Sequence, residues 1–284
     1  MITTEALRDG SPVAINADIH DVAPTHQPPS AVVSTLMLLG RYVKVGLRQP
    51  VFGFIFPIVF PTVLVIFVRA MFQRVADLPG FPLTSYTAYI APGMIMLIPM
   101  IGSGYGASTL IEEIRSGFVD RLRLQGISSR QILAAKIAFE AIRIMPAGVI
   151  VIGLLALLDA PLRAGLGTVC MLLLLMCAWS AAYSSLFYFV AVRTMNPQAP
   201  VALLPLALPV LFISQALMPT VFLPGWLKLA IQINPFSHVV SAASTLMYGH
   251  FDAMLLAKGF LVAAAMFIAL QAVIRIVVAR RIGA

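Results

Sequence analysis

The densest run of side chains with chemistry to offer lies between Ile111 and Lys136, IEEIRSGFVDRLRLQGISSRQILAAK. Ile114, Phe118 and Leu122 recur every four residues and would form an apolar ridge on a helix. Glu112, Glu113, Arg115, Asp120, Arg121 and Arg123 surround that ridge with charge. Such a helix can seat in a groove on a soluble partner, or lie as a solvated helix along a membrane surface. Gly126 is the expected stop. Ser128, followed three residues later by Gln131, is a capping-box signature that starts the next helix.

Other candidate chemistry is sparse. Glu140 and Arg143, three apart, share one helical face and can pair; they suit either a cavity entrance or subunit interface, or a purely structural pair. Ser103 or Ser108 with His238 would make a serine–histidine dyad if the fold brought them together. Gly102-Ser103-Gly104-Tyr105-Gly106 has the glycines of a nucleotide loop, but it lies inside an apolar stretch, where close helix packing explains it. There is no G-x-x-x-x-G-K-[ST] segment to cradle phosphates, so ATP hydrolysis is not expected from this chain. Cys170 and Cys177, seven apart in one apolar run, have no metal-ligand neighbours and read as lipid-facing or packing residues.

These residues are embedded in a chain of 284 residues that is 60% hydrophobic and 11% charged, with mean hydropathy +0.97. A soluble domain carries about a quarter charged residues, so the bilayer is the expected solvent. The spans are expected at Val51–Phe72, Thr87–Thr109, Ile132–Leu158, Leu166–Val192, Pro200–Met218 and Met254–Val278, six in all. The formal charge of +8 forms no run with interleaved aromatics, which argues against nucleic acid. Thirteen Lys and Arg flank one side of the six spans, whereas the other side holds only Arg69, Arg74, Arg163, Lys228 and Lys258. By the positive-inside rule both termini are cytoplasmic. No chain of acidic residues crosses the spans, as proton coupling would require.

Three segments lie outside that plan. Residues 1–30, with scattered charges and prolines, are expected to be a disordered cytoplasmic tail. In 31–49, Val32, Val33, Leu36, Leu39, Val43 and Leu47 oppose Arg41, Lys44 and Arg48; this is an interfacial amphipathic helix or the cytosolic start of the first span. The remainder, 50–284, is expected to be one permease domain. Between spans five and six, Trp226 to Ile233 and Phe236 to Tyr248 are apolar stretches broken at Asn234-Pro235. They suit two short helices re-entering the outer leaflet with Trp226 at headgroup level, or a loop on the outer surface.

Two runs carry a family resemblance. Glu112 through Gly117, Asp120-Arg121-Leu122-Arg123, Ser128-Ser129-Arg130 and Ala135-Lys136 resemble the cytoplasmic signature of type-2 ABC transporter permeases, especially daunorubicin-resistance and antibiotic exporters. Pro209, Ser214, Ala216, Pro219, Pro224, Trp226 and Asn234-Pro235-Phe236-Ser237 resemble that family's outer re-entrant region. The chain departs from many drug exporters at Gln125-Gly126, where they carry a proline. The resemblance implies an all-α membrane protein in which Glu112 to Leu124 is the coupling helix. It also implies two separate ATPase subunits that hold the ATP and Mg, a second permease copy or similar permease, and a bacterial plasma membrane. No cofactor or metal is expected on this chain. The implied cargo is a hydrophobic or amphiphilic drug, antibiotic or lipid. The alternatives are a polysaccharide or cell-wall lipid exporter of the same fold and, further off, an intramembrane serine hydrolase.

Overall fold

The computed structural model describes residues 30–48, 51–158, 160, 165–249 and 251–281; the expected tail therefore lies, apart from Ser30, outside the described residues, as does Pro50. All regular structure among the described residues is helical. Helix α1 (Ala31–Leu47) starts at Ser30, whose hydroxyl accepts from Val33 N. Its buried stripe Ser34, Leu38, Tyr42 and Gly46 rests on α6, and Phe139 sits directly over Gly46. Four members of the expected apolar face, Val32, Val33, Leu36 and Leu47, are left exposed.

A π-helical turn, Val51–Ile55, leads into α2 (Phe56–Phe72), which buries Pro57, Pro61, Val65 and Val68 along one side. Helix α3 (Tyr86–Gly102) is the axis of the molecule. Every residue except Ala88 is buried, against α2, α7, α8 and α12. Small side chains permit the close approach: a Cβ on Gly93 would strike the Cβ of Ala216. The chain breaks at Ser103 and continues as α4 (Gly104–Arg115), α5 (Phe118–Leu124), α6 (Ser129–Arg143) and α7 (Met145–Leu157), the last two divided just before Pro146. Helix α8 (Leu166–Thr194) and α13 (Ala253–Arg281) are long and continuous.

Five helical stretches are long and apolar enough to cross a membrane: Phe56–Asp77, Tyr86–Arg115, Ser129–Leu157, Leu166–Thr194 and Ala253–Val278. They correspond to five of the six expected spans. The expected fifth, Pro200–Met218, differs. Residues Gln198–Phe212 are helical in three pieces, α9 (Gln198–Val201), a 3-10 turn (Leu204–Leu206) and α10 (Ala207–Phe212), and 213–218 carry no helix. Pro200, Pro205 and Pro209 each remove a backbone donor, so a regular ladder cannot run through. Even as one unbroken helix, the fifteen residues Gln198–Phe212 would reach about 22 Å, short of the roughly 30 Å hydrocarbon core.

The non-helical stretch after α10 is sheltered by donors from α3 and from the corner between two further helices. Tyr89 Oη donates to Gln215 O at 2.8 Å and Tyr86 Oη to Leu217 O at 3.0 Å. Asn234 Nδ2 donates to Val210 O at 2.8 Å and also to Ile213 O, while its Oδ1 accepts from Phe236 N at 3.0 Å. Two short helices flank that corner, α11 (Gly225–Ile233) and α12 (Pro235–Met247). Helix α11 buries only Ile231 and leaves Trp226 71% exposed, whereas α12 packs deeply on α13 and α3, with Phe236 and Ser237 buried.

Candidate functional site

The segment expected as one helix, Glu112 to Leu124, is two. Glu112, Glu113 and Arg115 end α4, which continues the axis of the second span. Ser116 and Gly117 then turn the chain, with Gly117 left-handed at φ +69°. Phe118, Asp120, Arg121 and Arg123 belong to α5. Its end is a Schellman closure: Gly126, at φ +83°, donates to Arg123 O at 2.9 Å and Ile127 N to Leu122 O at 3.0 Å. The capping box then forms as expected, with Ser128 N donating to Gln131 Oε1 at 2.6 Å and Gln131 N to Ser128 Oγ at 3.4 Å. Arg123 ties α5 to α6 through Ser129 Oγ, at 3.0 Å from Nε and 2.6 Å from Nη2.

The expected ridge turns inward in part. Leu122 and its neighbour Val119 are buried, and Phe118 is half-buried under the guanidinium of Arg41, whose Cζ stands 3.8 Å from the ring centre. What α5 offers outward is Asp120, Arg121 and Leu124, the last 90% exposed. Beneath α5, Leu110, Ile114, Ile132, Val192 and Val278 border a small cavity of about 40 Å³, so the ends of α8 and α13 meet the α4–α6 turn at one end of the bundle.

Glu113 does not face outward; it joins three helices, α1, α4 and α6. Its Oε1 takes Arg41 Nη1 at 3.3 Å, and its Oε2 takes Tyr42 Oη at 3.4 Å and Lys136 Nζ at 3.0 Å. Lys136, 3% exposed, also donates to Thr109 Oγ1 at 3.2 Å and stands 4.4 Å from the Tyr42 ring centre. Burial, then the Glu113 carboxylate, push the Tyr42 phenol well above its usual range, so it stays a donor. Arg41, Tyr42, Lys136 and Thr109 were not singled out in the sequence as partners. A lysine standing inside the apolar run Ile132–Phe139 was the available signal for Lys136.

Glu140 and Arg143 pair with each other, and both side chains are wholly enclosed within the chain. Arg143 Nη2 donates to Gly102 O at 2.6 Å and Glu140 Oε1 accepts Gly106 N at 2.9 Å. The carbonyl and amide that an unbroken helix would join to one another are thus each met by a side chain of α6. A Cβ on Gly106 would strike both Glu140 Oε1 and Tyr188 Oη. A polar ladder therefore runs from Arg41 through Glu113, Lys136, Thr109 and Gly106 to Glu140, Arg143 and the Ser103 break.

The serine–histidine dyad does not form. Ser103 Oγ donates to Pro99 O, Ser108 Oγ to Pro197 O at 2.7 Å, and His238 Nε2 lies 3.0 Å from Gln232 O. Cys170 is exposed and Cys177 Sγ donates to Ala141 O at 3.2 Å, in keeping with lipid-facing and packing roles. At the other end of α3, Leu64, Phe67, Met71, Tyr86, Leu217 and Met218 are among the walls of an apolar cavity of about 450 Å³, between α2 and the stretch after α10.

A family model described as "ABC-2 type transporter" matches residues 34–248. The chain is also similar to the "Daunorubicin resistance ABC transporter permease protein DrrB1" of Streptomyces coeruleorubidus, at 24% identity over 165 residues. That stretch covers 58% of this chain and 58% of the relative, so the chain spans well under two thirds of the length of the curated relative it matches.

Proposed function

This chain belongs to the ABC-2 type transporter family, and from that premise we propose that it is the membrane-spanning subunit of an exporter driven by a separate ATPase. The observation that carries the proposal is the α4–α6 turn: a short helix with Asp120, Arg121 and Leu124 facing out, fixed from behind by the Glu113 cluster. Each of two ATPase subunits, holding ATP and Mg, seats against α5 of one permease in a pair. Closure of the ATPases pushes α5 and α4, and the break at Ser103, bridged by Glu140 and Arg143, lets α4 swing against α3. The pair is therefore a hinge element rather than a lining of the cargo path.

In this reading the chain crosses the membrane six times, Gln198–Phe212 making the fifth crossing as a broken helix completed by the sheltered stretch after it. The α4–α6 turn and both termini are cytoplasmic, in a bacterial plasma membrane. Helix α1 lies at the inner interface with Val32, Val33, Leu36 and Leu47 toward lipid, which their exposure supports. Helices α11 and α12 re-enter the outer leaflet, Trp226 at headgroup depth and Asn234, Pro235 and Ser237 at the sheltered corner. The cavity with Phe67, Met71, Leu217 and Met218 in its walls suits a hydrophobic or amphiphilic drug, antibiotic or lipid better than a polysaccharide, which needs polar and aromatic platforms along its path.

The test is co-expression with candidate ATPase subunits followed by purification in nanodiscs. We expect an ATPase to co-purify with the wild type and to be lost on Leu124→Asp, with the permease's thermal melt unchanged. Absence of any associated ATPase, or equal recovery with Leu124→Asp, would remove the basis for α5 as the coupling element.

A further inference from the structure

A second cavity, separate from the α5 surface and from the cavity beside α2, opens on the outer flank of the bundle between α6, α8 and α13. It encloses about 470 Å³. Its walls are apolar, with Leu133, Ala138 and Ala141 from α6 facing Phe267 and Ile268 from α13. Arg130 and Arg275, exposed residues on different helices, border the same trough. Neither arginine makes a hydrogen bond or ion pair among the described residues, and no carboxylate lines the cavity. Two guanidinium groups on one rim, with no carboxylate in the lining, give the mouth of the trough a positive potential that favours an anion.

The dimensions agree with one occupant. From Arg130 to Ala141 the α6 wall runs about 16 Å, close to the half-thickness of a bilayer's hydrocarbon core, about 15 Å. The arginines lie at the end shared by the α6 N-terminus and the last turns of α13. Only 11% of the apolar stretch of α13 is buried within the chain, which leaves this flank open to surrounding lipid. We infer that the trough binds an anionic phospholipid of the leaflet on the α5 side, its phosphate between Arg130 and Arg275 and an acyl chain along α6 and α13. The inference uses the membrane placement of the chain but not the ATPase coupling, so either can fail without the other.

Native mass spectrometry of the purified full chain, released from nanodiscs of mixed phosphatidylcholine and phosphatidylglycerol, reads both bound lipid and oligomeric state. Wild type is expected to retain phosphatidylglycerol in preference to phosphatidylcholine. Arg130→Gln with Arg275→Gln should cut that preference by roughly tenfold or more, taking about 1 kcal/mol for each basic group near an anionic surface. Arg130→Lys with Arg275→Lys should keep it, and Ala138→Trp, which fills the trough, should lose it. Lys44→Gln with Arg48→Gln, at the end of α1 and outside the trough, should cut it less than the trough pair does; an equal cut would mean general surface attraction and overturn the assignment. Equal retention of the two lipids by wild type, or an undiminished preference in the double Gln variant, would overturn the assignment. So would loss of a dimer rather than of lipid in that variant, since the trough would then be a contact between copies.

Discussion

Glu113 is one carboxylate serving an arginine, a tyrosine and a lysine from two other helices, and it is 17% exposed. Removing it strands the ammonium of Lys136 in the interior, a loss on the order of 3 kcal/mol. Glu113→Ala should therefore lower the thermal midpoint clearly, while Glu113→Leu combined with Lys136→Met should recover most of it. If the single variant melts like wild type, the cluster is not a structural joint. Gly106 makes a second residue-scale prediction. An added methyl would press on Glu140 and Tyr188, both without room to withdraw, and overpacking of this kind costs about 1–3 kcal/mol. Gly106→Ala should lower the midpoint and Gly153→Ala, where nothing stands within 4 Å, should not. Only part of this chemistry was legible in the sequence. The Ser128–Gln131 box and the Gly126 stop were, because both act within four residues. The partners of Glu113 were not, because they are remote in sequence: Arg41 read as the polar face of an interfacial helix and Lys136 as a charge closing the cytoplasmic loop.

At the level of elements, α5 owes its independence to two glycines in left-handed conformations, Gly117 and Gly126. The apolar spacing of Ile114, Phe118 and Leu122 suggests one helix, yet a single left-handed residue is enough to divide it. A residue with a Cβ at 126 loses about 1–2 kcal/mol. Gly126→Ala should thus raise hydrogen exchange across Phe118–Leu124 while leaving α8 and α13 protected; unchanged exchange would mean that the Schellman closure does not hold α5. The spans followed from apolar length, and five of the six are matched by a helix long enough to cross. The exception is the proline-bearing stretch Gln198–Phe212, whose apolar composition is that of a span while its spacing of prolines prevents a continuous helix. The tyrosines that shelter the backbone beyond it, Tyr86 and Tyr89, gave no local signal, since the carbonyls they reach lie more than a hundred residues away.

For the whole molecule, α3 is the buried axis and the α4–α6 turn is its outlying arm, joined through the Ser103 break. Sidedness is the property on which the mechanism depends. With both native cysteines replaced, Gln125→Cys should react with an impermeant maleimide only in inside-out vesicles, and Leu78→Cys only from the outside; the reverse pattern would invert the proposed orientation. The most direct test of ATPase coupling is photo-crosslinking. A photoreactive amino acid replaces Leu124 in one preparation and Phe118 in another, each co-expressed with the ATPase. Crosslinks to the ATPase from position 124, with few or none from position 118 beneath Arg41, are the expected result. No crosslink from 124, or a stronger one from 118, would contradict the assignment of α5 as the surface that receives the ATPase.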